Sequence, residues 1–186
     1  QRQMCIRDSI KSMFSLGFGY VEVGTVTPLP QKGNPKPRIF RLEEDNAIIN
    51  SLGFNNIGSI KVKKNISKIK KNFLSNKIIG VNLGKNKNTV NSIDDYIYGM
   101  EELGGQSSYI TINISSPNTE GLRELQLRGN IENLIKKIML KRDEISNINN
   151  KPIFIKISPD LNDDQLRDIA LIALANNVDG LILTNT

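Results

Sequence analysis

Five short apolar runs, separated by longer amphipathic stretches, restrict this chain to a small set of folds. The runs are Tyr20 to Thr25, Ile78 to Asn82, Tyr109 to Ser115, Ile153 to Ile157 and Gly180 to Thr184. They are rich in β-branched residues and too continuously apolar for strands with one wet face. They therefore predict a parallel sheet covered by helices. The stretches around Ile10 to Leu16, Val62 to Leu74, Asp94 to Leu103, Ile131 to Arg142 and Asp163 to Ala175 carry apolar residues at helical spacing. In the last of them Leu166, Ile169, Ala170 and Ala173 form a stripe predicted to be buried, and Asn162 or Asp163 is placed to cap the first turn. Strand and helix in strict alternation mean an α/β domain, either an open doubly wound sheet or part of a (β/α) barrel. The proline-rich stretch Pro28 to Arg41 reads as an ordered, extended loop.

The polar residues gather where the predicted strands end. Strand one runs into Gly24-Thr25-Val26-Thr27, the second ends at Asn82 with Gly84, and the third at Asn113 with Ser116. Lys156 with Ser158 and then Thr184-Asn185-Thr186 close the other two. In a parallel sheet these ends converge on one rim, which is where such folds bind ligands. Singly, each Asn, Ser or Thr is explained as a turn or cap residue. Asn113-Ile114-Ser115-Ser116-Pro117-Asn118 is the densest of these ends, and Pro117 forbids the strand from continuing. Amide side chains offer a donor and an acceptor in one plane, suited to planar heterocycles. Lys156, inside Phe154-Ile155-Lys156-Ile157, either meets an anion or points into the rim; the alternative is a surface lysine lying along its own stem.

Composition removes several chemistries. The chain has 186 residues and no histidine, so Ser-His and Cys-His nucleophile pairs and the common zinc ligand sets are excluded. One cysteine, Cys5, excludes an internal disulfide, and no metal site is expected. The net charge of +6 admits a basic nucleic-acid-binding module, but the lysines are scattered and only 5% of residues are aromatic. The densest basic run, Lys61 to Lys71, has Val62, Ile66 and Ile69 between its charges, the pattern of a helix with one buried edge. No nucleic-acid partner is expected. No window approaches the roughly 18 apolar residues of a membrane span, and the start has no signal-peptide core. Residues 1–9 differ in character from the rest of the chain and read as a non-native scar, leaving residues 10–186 as one domain. Gly80-Val81-Asn82-Leu83-Gly84-Lys85 lacks P-loop spacing.

From about residue 10 onward the chain resembles the dihydroorotate dehydrogenase family, specifically its class 2, quinone-linked members. The segments that carry the resemblance are Gly17 to Pro28 (GFGYVEVGTVTP), Gly33-Asn34-Pro35-Lys36-Pro37-Arg38 and Leu52-Gly53-Phe54-Asn55-Asn56. They continue with Gly80 to Lys87 (GVNLGKNK), the Asn113 to Asn118 run, Ile155 to Leu161 (IKISPDL) and Gly180 to Thr186 (GLILTNT), in family order and spacing. The resemblance implies a (β/α)8 TIM barrel, here incomplete and covering about strands 2 to 6, that holds FMN and oxidises dihydroorotate to orotate in pyrimidine (UMP) biosynthesis. It implies that Ser116 is the catalytic base. It implies FMN contacts at Thr25, Asn82, Asn113, Lys156 and Thr184. Substrate contacts are implied at Asn50, Ser51, Leu52, Gly53 and Phe54, and at Asn113, Asn118, Asn185 and Thr186. Ser51 departs from the basic residue usual at its position. Class 1 enzymes and dihydrouridine synthases are the alternatives, disfavoured because they carry cysteine where Ser116 stands.

The resemblance further implies a quinone as final acceptor and peripheral membrane association of the full-length enzyme. It leaves the oligomeric state open. The family's first strand and last two strands have no counterpart here, so the segment alone is expected to be marginal, prone to aggregate and unable to retain FMN.

Overall fold

A computed structural model describes residues 6–72, 76–119 and 121–184. Its core is a five-stranded parallel sheet in the order β1-β4-β5-β6-β7. The strands are β1 (Tyr20–Val26), β4 (Ile78–Leu83), β5 (Tyr109–Asn113), β6 (Ile153–Ile157) and β7 (Gly180–Leu183). A two-stranded antiparallel hairpin, β2 (Ile39–Leu42) and β3 (Ala47–Asn50), lies apart from it. Helices α1 (Ile6–Ser15), α2 (Ser59–Asn72), α3 (Ser92–Leu103), α4 (Arg128–Glu144) and α5 (Asp163–Ala175) fill the remaining intervals. Strands that are sequential apart from the hairpin, each parallel to the last and separated by helices, form an arc of a (β/α) barrel. No helix among the described residues is long and apolar enough to cross a membrane.

One face of the arc is packed under the helices. Ile79, Val81 and Leu83 of β4, Ile110 and Ile112 of β5, and Ile153, Ile155 and Ile157 of β6 are all buried there. They join Val62, Ile66 and Ile69 of α2, Met100 and Leu103 of α3, Ile135 and Ile138 of α4, and Ile169 and Ile172 of α5. Gly99 lets α3 lie close on β4, since a Cβ there would come within 3.0 Å of the Leu83 methyls. Opposite each buried isoleucine the period-two alternation of a strand puts a residue on the inner, concave face.

Four sequence-based expectations are corrected. Strand β5 stops at Asn113, so Ile114 and Ser115 lie in the loop. The extended loop ends at Arg38 and not at Arg41, because β2 begins at Ile39; the hairpin turns through Glu43 to Asn46, with Asn46 at a φ of 49°. Leu166 is 39% exposed, and α5 packs instead through Ile169, Ile172 and Ala173. The reason is position: Leu166 lies in the first turn of the helix, before the turns whose Ile169 and Ile172 join the core. The strands are also less uniformly enclosed than their composition predicts, because β7 is half-exposed and Tyr20 at the start of β1 is 63% exposed. The cap of α5 is as read: Asn162 accepts from the Gln165 N–H at 2.9 Å while Gln165 accepts from the Asn162 N–H at 3.0 Å. Leu74 lies outside the described residues.

Candidate active site

The site begins with a defect in β1. Val23 pairs with Val81 but Val26 pairs with Leu83, so β1 carries one extra residue. Gly24 makes this possible with a φ of 155° and a close approach in which a Cβ would lie 2.5 Å from the Asn82 carbonyl oxygen. The bulge turns Thr25 inward. Its hydroxyl donates to Asn82 Oδ1 at 2.8 Å and accepts from Asn113 Nδ2 at 2.9 Å. Asn113 Oδ1 in turn accepts the Ser115 N–H at 3.1 Å and the Ser115 hydroxyl at 2.8 Å. Thr25, Asn82 and Asn113 are all buried. The Tyr96 hydroxyl, from α3, donates to the Asn113 carbonyl at 2.9 Å and fixes the end of β5 from behind. Burial first, and the nearby Asp95 carboxylate second, push the Tyr96 phenol far above its ordinary pKa, so it remains a donor.

Beyond β5 the chain turns across the rim. Ser116 is 9% exposed, and its Oγ accepts the Asn118 N–H at 3.2 Å, which points its lone pairs along the loop. Asn118 Nδ2 reaches the Asn50 carbonyl at 3.4 Å, the contact that brings the loop after β5 to the loop after β3. That second loop is pinned by residues around it. Asn34 Nδ2 donates to the Ser51 carbonyl and Gln31 Nε2 to the Gly53 carbonyl, both at 3.0 Å. Asn56 Nδ2 bridges the Phe54 carbonyl and the Thr27 hydroxyl, both at 2.8 Å. Phe54 is buried at a φ of 53°, its ring against Gly84, where a Cβ would sit 2.9 Å from the ring. Leu52 is half-buried beside it in the chain.

Lys156 belongs to the inner face of β6, in register with Asn113 on one side and Ile182 on the other. It is half-buried; its carbonyl accepts the Ile114 N–H at 3.1 Å, and its side chain makes no hydrogen bond or ion pair among the described residues. Thr184 follows β7 on the same rim and is half-buried. The remaining two residues, Asn185 and Thr186, lie outside the described residues. The structure thus joins Thr25, Asn82 and Asn113 by direct hydrogen bonds and ties Ser116 to Asn118 and Asn118 to Asn50. Lys156 and Thr184 continue the same rim along the next two strands.

Two supports escaped the sequence reading. Glu22 accepts from Asn82 Nδ2 at 2.8 Å, and its other oxygen accepts from the Thr111 hydroxyl at 2.7 Å. Asn86 Nδ2 reaches the Thr27 hydroxyl at 3.1 Å and Gln31 Oε1 at 2.9 Å, clasping the loops after β1 and β4. Glu22 had a readable signal: a charge between Val21 and Val23 in an apolar strand is the same anomaly that singled out Lys156. Asn86 had none in so asparagine-rich a chain. Among the described residues no group of three His, Cys, Asp or Glu side chains is placed to hold a metal.

Known proteins point the same way. The family model described as "Dihydroorotate dehydrogenase" matches residues 3–186. The chain is 47% identical over 177 residues to the dihydroorotate dehydrogenase (quinone) of Brucella ovis, covering 94% of this chain and 48% of that one. It is 43% identical over 202 residues to the mitochondrial dihydroorotate dehydrogenase (quinone) of Oryza sativa subsp. japonica, covering 96% of this chain and 43% of that protein. The crystal structure of DHODH from Eimeria tenella in complex with ferulenol superposes with a TM-score of 0.88 at 42% identity, covering 95% of this chain and 52% of that chain. The chain spans about half the length of the curated relatives it matches. A bulged first strand, a polar rim on a parallel arc and collinear identity along nearly the whole chain have one common explanation: the chain belongs to the dihydroorotate dehydrogenase family.

Proposed function

We propose that the protein of which this chain is part oxidises dihydroorotate to orotate, with FMN as the hydride acceptor and a quinone as the final acceptor, in pyrimidine biosynthesis. The observation that carries this reading is the bonded cluster of Thr25, Asn82 and Asn113 with Ser116 at its mouth, in a chain whose relatives bear that enzyme's name. The donor set suits a flavin. Two buried amides and a half-buried ammonium, Lys156, offer hydrogens to a flat heterocycle with carbonyl and ring-nitrogen acceptors. Gly84 lets the Thr25 methyl and the Phe54 ring pack directly on its backbone, since a Cβ there would come within 2.5 and 2.9 Å of them. Thr25, Asn82, Asn113, Lys156 and Thr184 are the residues that hold it. When bound, the flavin supplies a two-electron acceptor that no side chain here can replace.

The rest is done by the chain's own groups. Asn50 to Phe54, Asn113 and Asn118, with Asn185 and Thr186, bind and orient the substrate ring. Ser116 removes a proton from the substrate carbon adjacent to the one that gives up hydride, and its own hydroxyl proton passes outward. A hydroxyl is a weak base, so the step depends on its placement and on amide donors that stabilise charge growing on the substrate. Asn118 supplies part of that placement through its N–H to Ser116 Oγ. The quinone and an attachment to a membrane face belong to the same reading, because the relatives are named as quinone enzymes.

The test is Ser116→Ala in the full-length protein. Turnover in a dihydroorotate-dependent dye-reduction assay is expected to fall by about 10²- to 10⁴-fold, the usual contribution of a positioned base, with FMN retained. Unchanged turnover removes Ser116 from the role, and a wild-type protein that neither binds FMN nor oxidises dihydroorotate removes the function.

A further inference from the structure

A carboxylate can only accept hydrogen bonds, whereas an amide or a hydroxyl can do either. That asymmetry gives Glu22 a significance beyond its own contacts. We propose that Glu22 is a positioning residue: as the acceptor at the foot of one continuous hydrogen-bond chain, it sets the orientation of the Asn82 amide at the flavin rim, while the Ser115 N–H sets that of Asn113 at the other end. The inference rests on the proposed flavin function for what the amides face, but the chain itself is read from this molecule.

Traced upward, every link has only one polarity. Glu22 Oε1 must accept, so Asn82 turns its NH2 toward it, at 2.8 Å. Asn82 Oδ1 is thereby directed to Thr25, whose hydroxyl proton it takes at 2.8 Å. With its proton committed, the Thr25 oxygen can only accept, and it does so from Asn113 Nδ2 at 2.9 Å. Asn113 Oδ1 then faces the Ser115 N–H and hydroxyl, one residue before Ser116. Thr111 donates to the second Glu22 oxygen at 2.7 Å, which keeps the carboxylate of this exposed residue against Asn82. Each amide keeps one N–H outside these bonds, available to a ligand. A neutral group in place of Glu22 permits Asn82 to turn over and donate to the Thr25 oxygen, whereas the Ser115 N–H, which can only donate, holds Asn113 as it is. The two arrangements exchange a donor for an acceptor at the Asn82 position on the rim.

Glu22→Gln is the informative variant because it keeps size and reach and removes only the obligation to accept. The full-length protein, labelled with 15N-asparagine, is compared with the variant with and without FMN. The expected result is that the Asn82 side-chain amide signal, single in the wild type, doubles or broadens, while those of Asn113, held by the Ser115 N–H, and of Asn118, off the chain, keep one orientation. FMN affinity is expected to weaken by about tenfold or more, the scale of one misdirected hydrogen bond in a buried site. A space-filling or purely stabilising role leaves both readouts unchanged, and that result overturns the proposal. If Glu22→Gln does not fold, Thr25→Val removes the other partner of Asn82: with Glu22 still in place the Asn82 amide signal must stay single, and a doubled Asn82 signal overturns the proposal equally. A wild-type protein that binds no FMN defeats the functional reading instead, and the amide signals of the flavin-free protein still decide the chain.

Discussion

The two faces of the same sheet are built on different physics. The outer face is an isoleucine surface: Ile79, Ile110, Ile112, Ile153 and Ile155 show no measurable exposure beneath the helices. The inner face, one residue along in each strand, carries Glu22, Asn82, Thr111, Asn113 and Lys156. Apolar burial is non-directional and tolerates shape changes at modest cost. The inner network is directional: each group there is useful only in one orientation. Alternate positions of one strand thus divide the labour, and substitutions on the two faces should separate stability from chemistry.

The largest effect expected concerns the arc as a whole. β1 and β7 are its edges among the described residues, with Tyr20 63% and Leu183 70% exposed. Unpaired parallel edges invite intermolecular pairing. Expressed alone, the 186-residue segment is expected to aggregate and to lose FMN entirely. A soluble yellow preparation with one flavin per chain would refute this. Next comes Ile112→Ala, which opens a cavity on the packed face. In the full-length protein it should lower unfolding free energy by about 2–5 kcal/mol, measured by denaturant titration, while the bound-flavin spectrum stays as it was. A changed spectrum in the still-folded variant would break the division between the faces.

Tyr96→Phe probes the seam between them, because the ring belongs to the core and the hydroxyl to the rim. Loss of the bond to the Asn113 carbonyl should cost about 1 kcal/mol at neutral pH. The pH dependence has a definite sign. Tyr96 has a folded pKa raised above the ordinary value of 10.0, so below that value both states are protonated and stability is unaffected. Above it the unfolded chain ionises while the folded one does not, so stability falls as pH rises. The variant should show a shallower decline in thermal midpoint above about pH 10. The smallest effect belongs to the Arg128–Asp168 pair, 2.7 Å long but with an Arg128 side chain 71% exposed. Arg128→Ala should change stability by less than about 1 kcal/mol, and added salt should erase even that.

The sheet was legible because its signal is redundant. A run such as Ile153 to Ile157 has no competing reading once helices flank it, and the same is true of Ile78 to Asn82. The hairpin was illegible for the opposite reason. Ile39, Phe40, Ile48 and Ile49 are all more than 40% exposed, so no buried face imposes an alternation on β2 and β3. The rim residues could be placed at strand ends, but their mutual orientation could not. It depends on the extra residue at Gly24, which brings Thr25 to the inner face, and a bulge leaves no mark on hydrophobic periodicity. Lys156 was visible as a charge inside an apolar strand, and the structure sets it on the concave side.

Beneath the polar layer, two glycines meet two aromatic rings across neighbouring strands. Gly80 is in register with Tyr109 and Gly180 with Phe154, and a Cβ at either glycine would come within about 3 Å or less of the facing ring. Tyr109 also stands edge-on to Tyr20 at 6.5 Å and to Phe154 at 5.4 Å. Each glycine–ring pair conserves a volume rather than an identity, so the four positions cannot drift independently. A descendant that gains a side chain at 80 must shrink at 109, and one that shrinks at 154 can fill 180. The floor of the site should therefore record its history as paired exchanges, while the amides above it change singly or not at all.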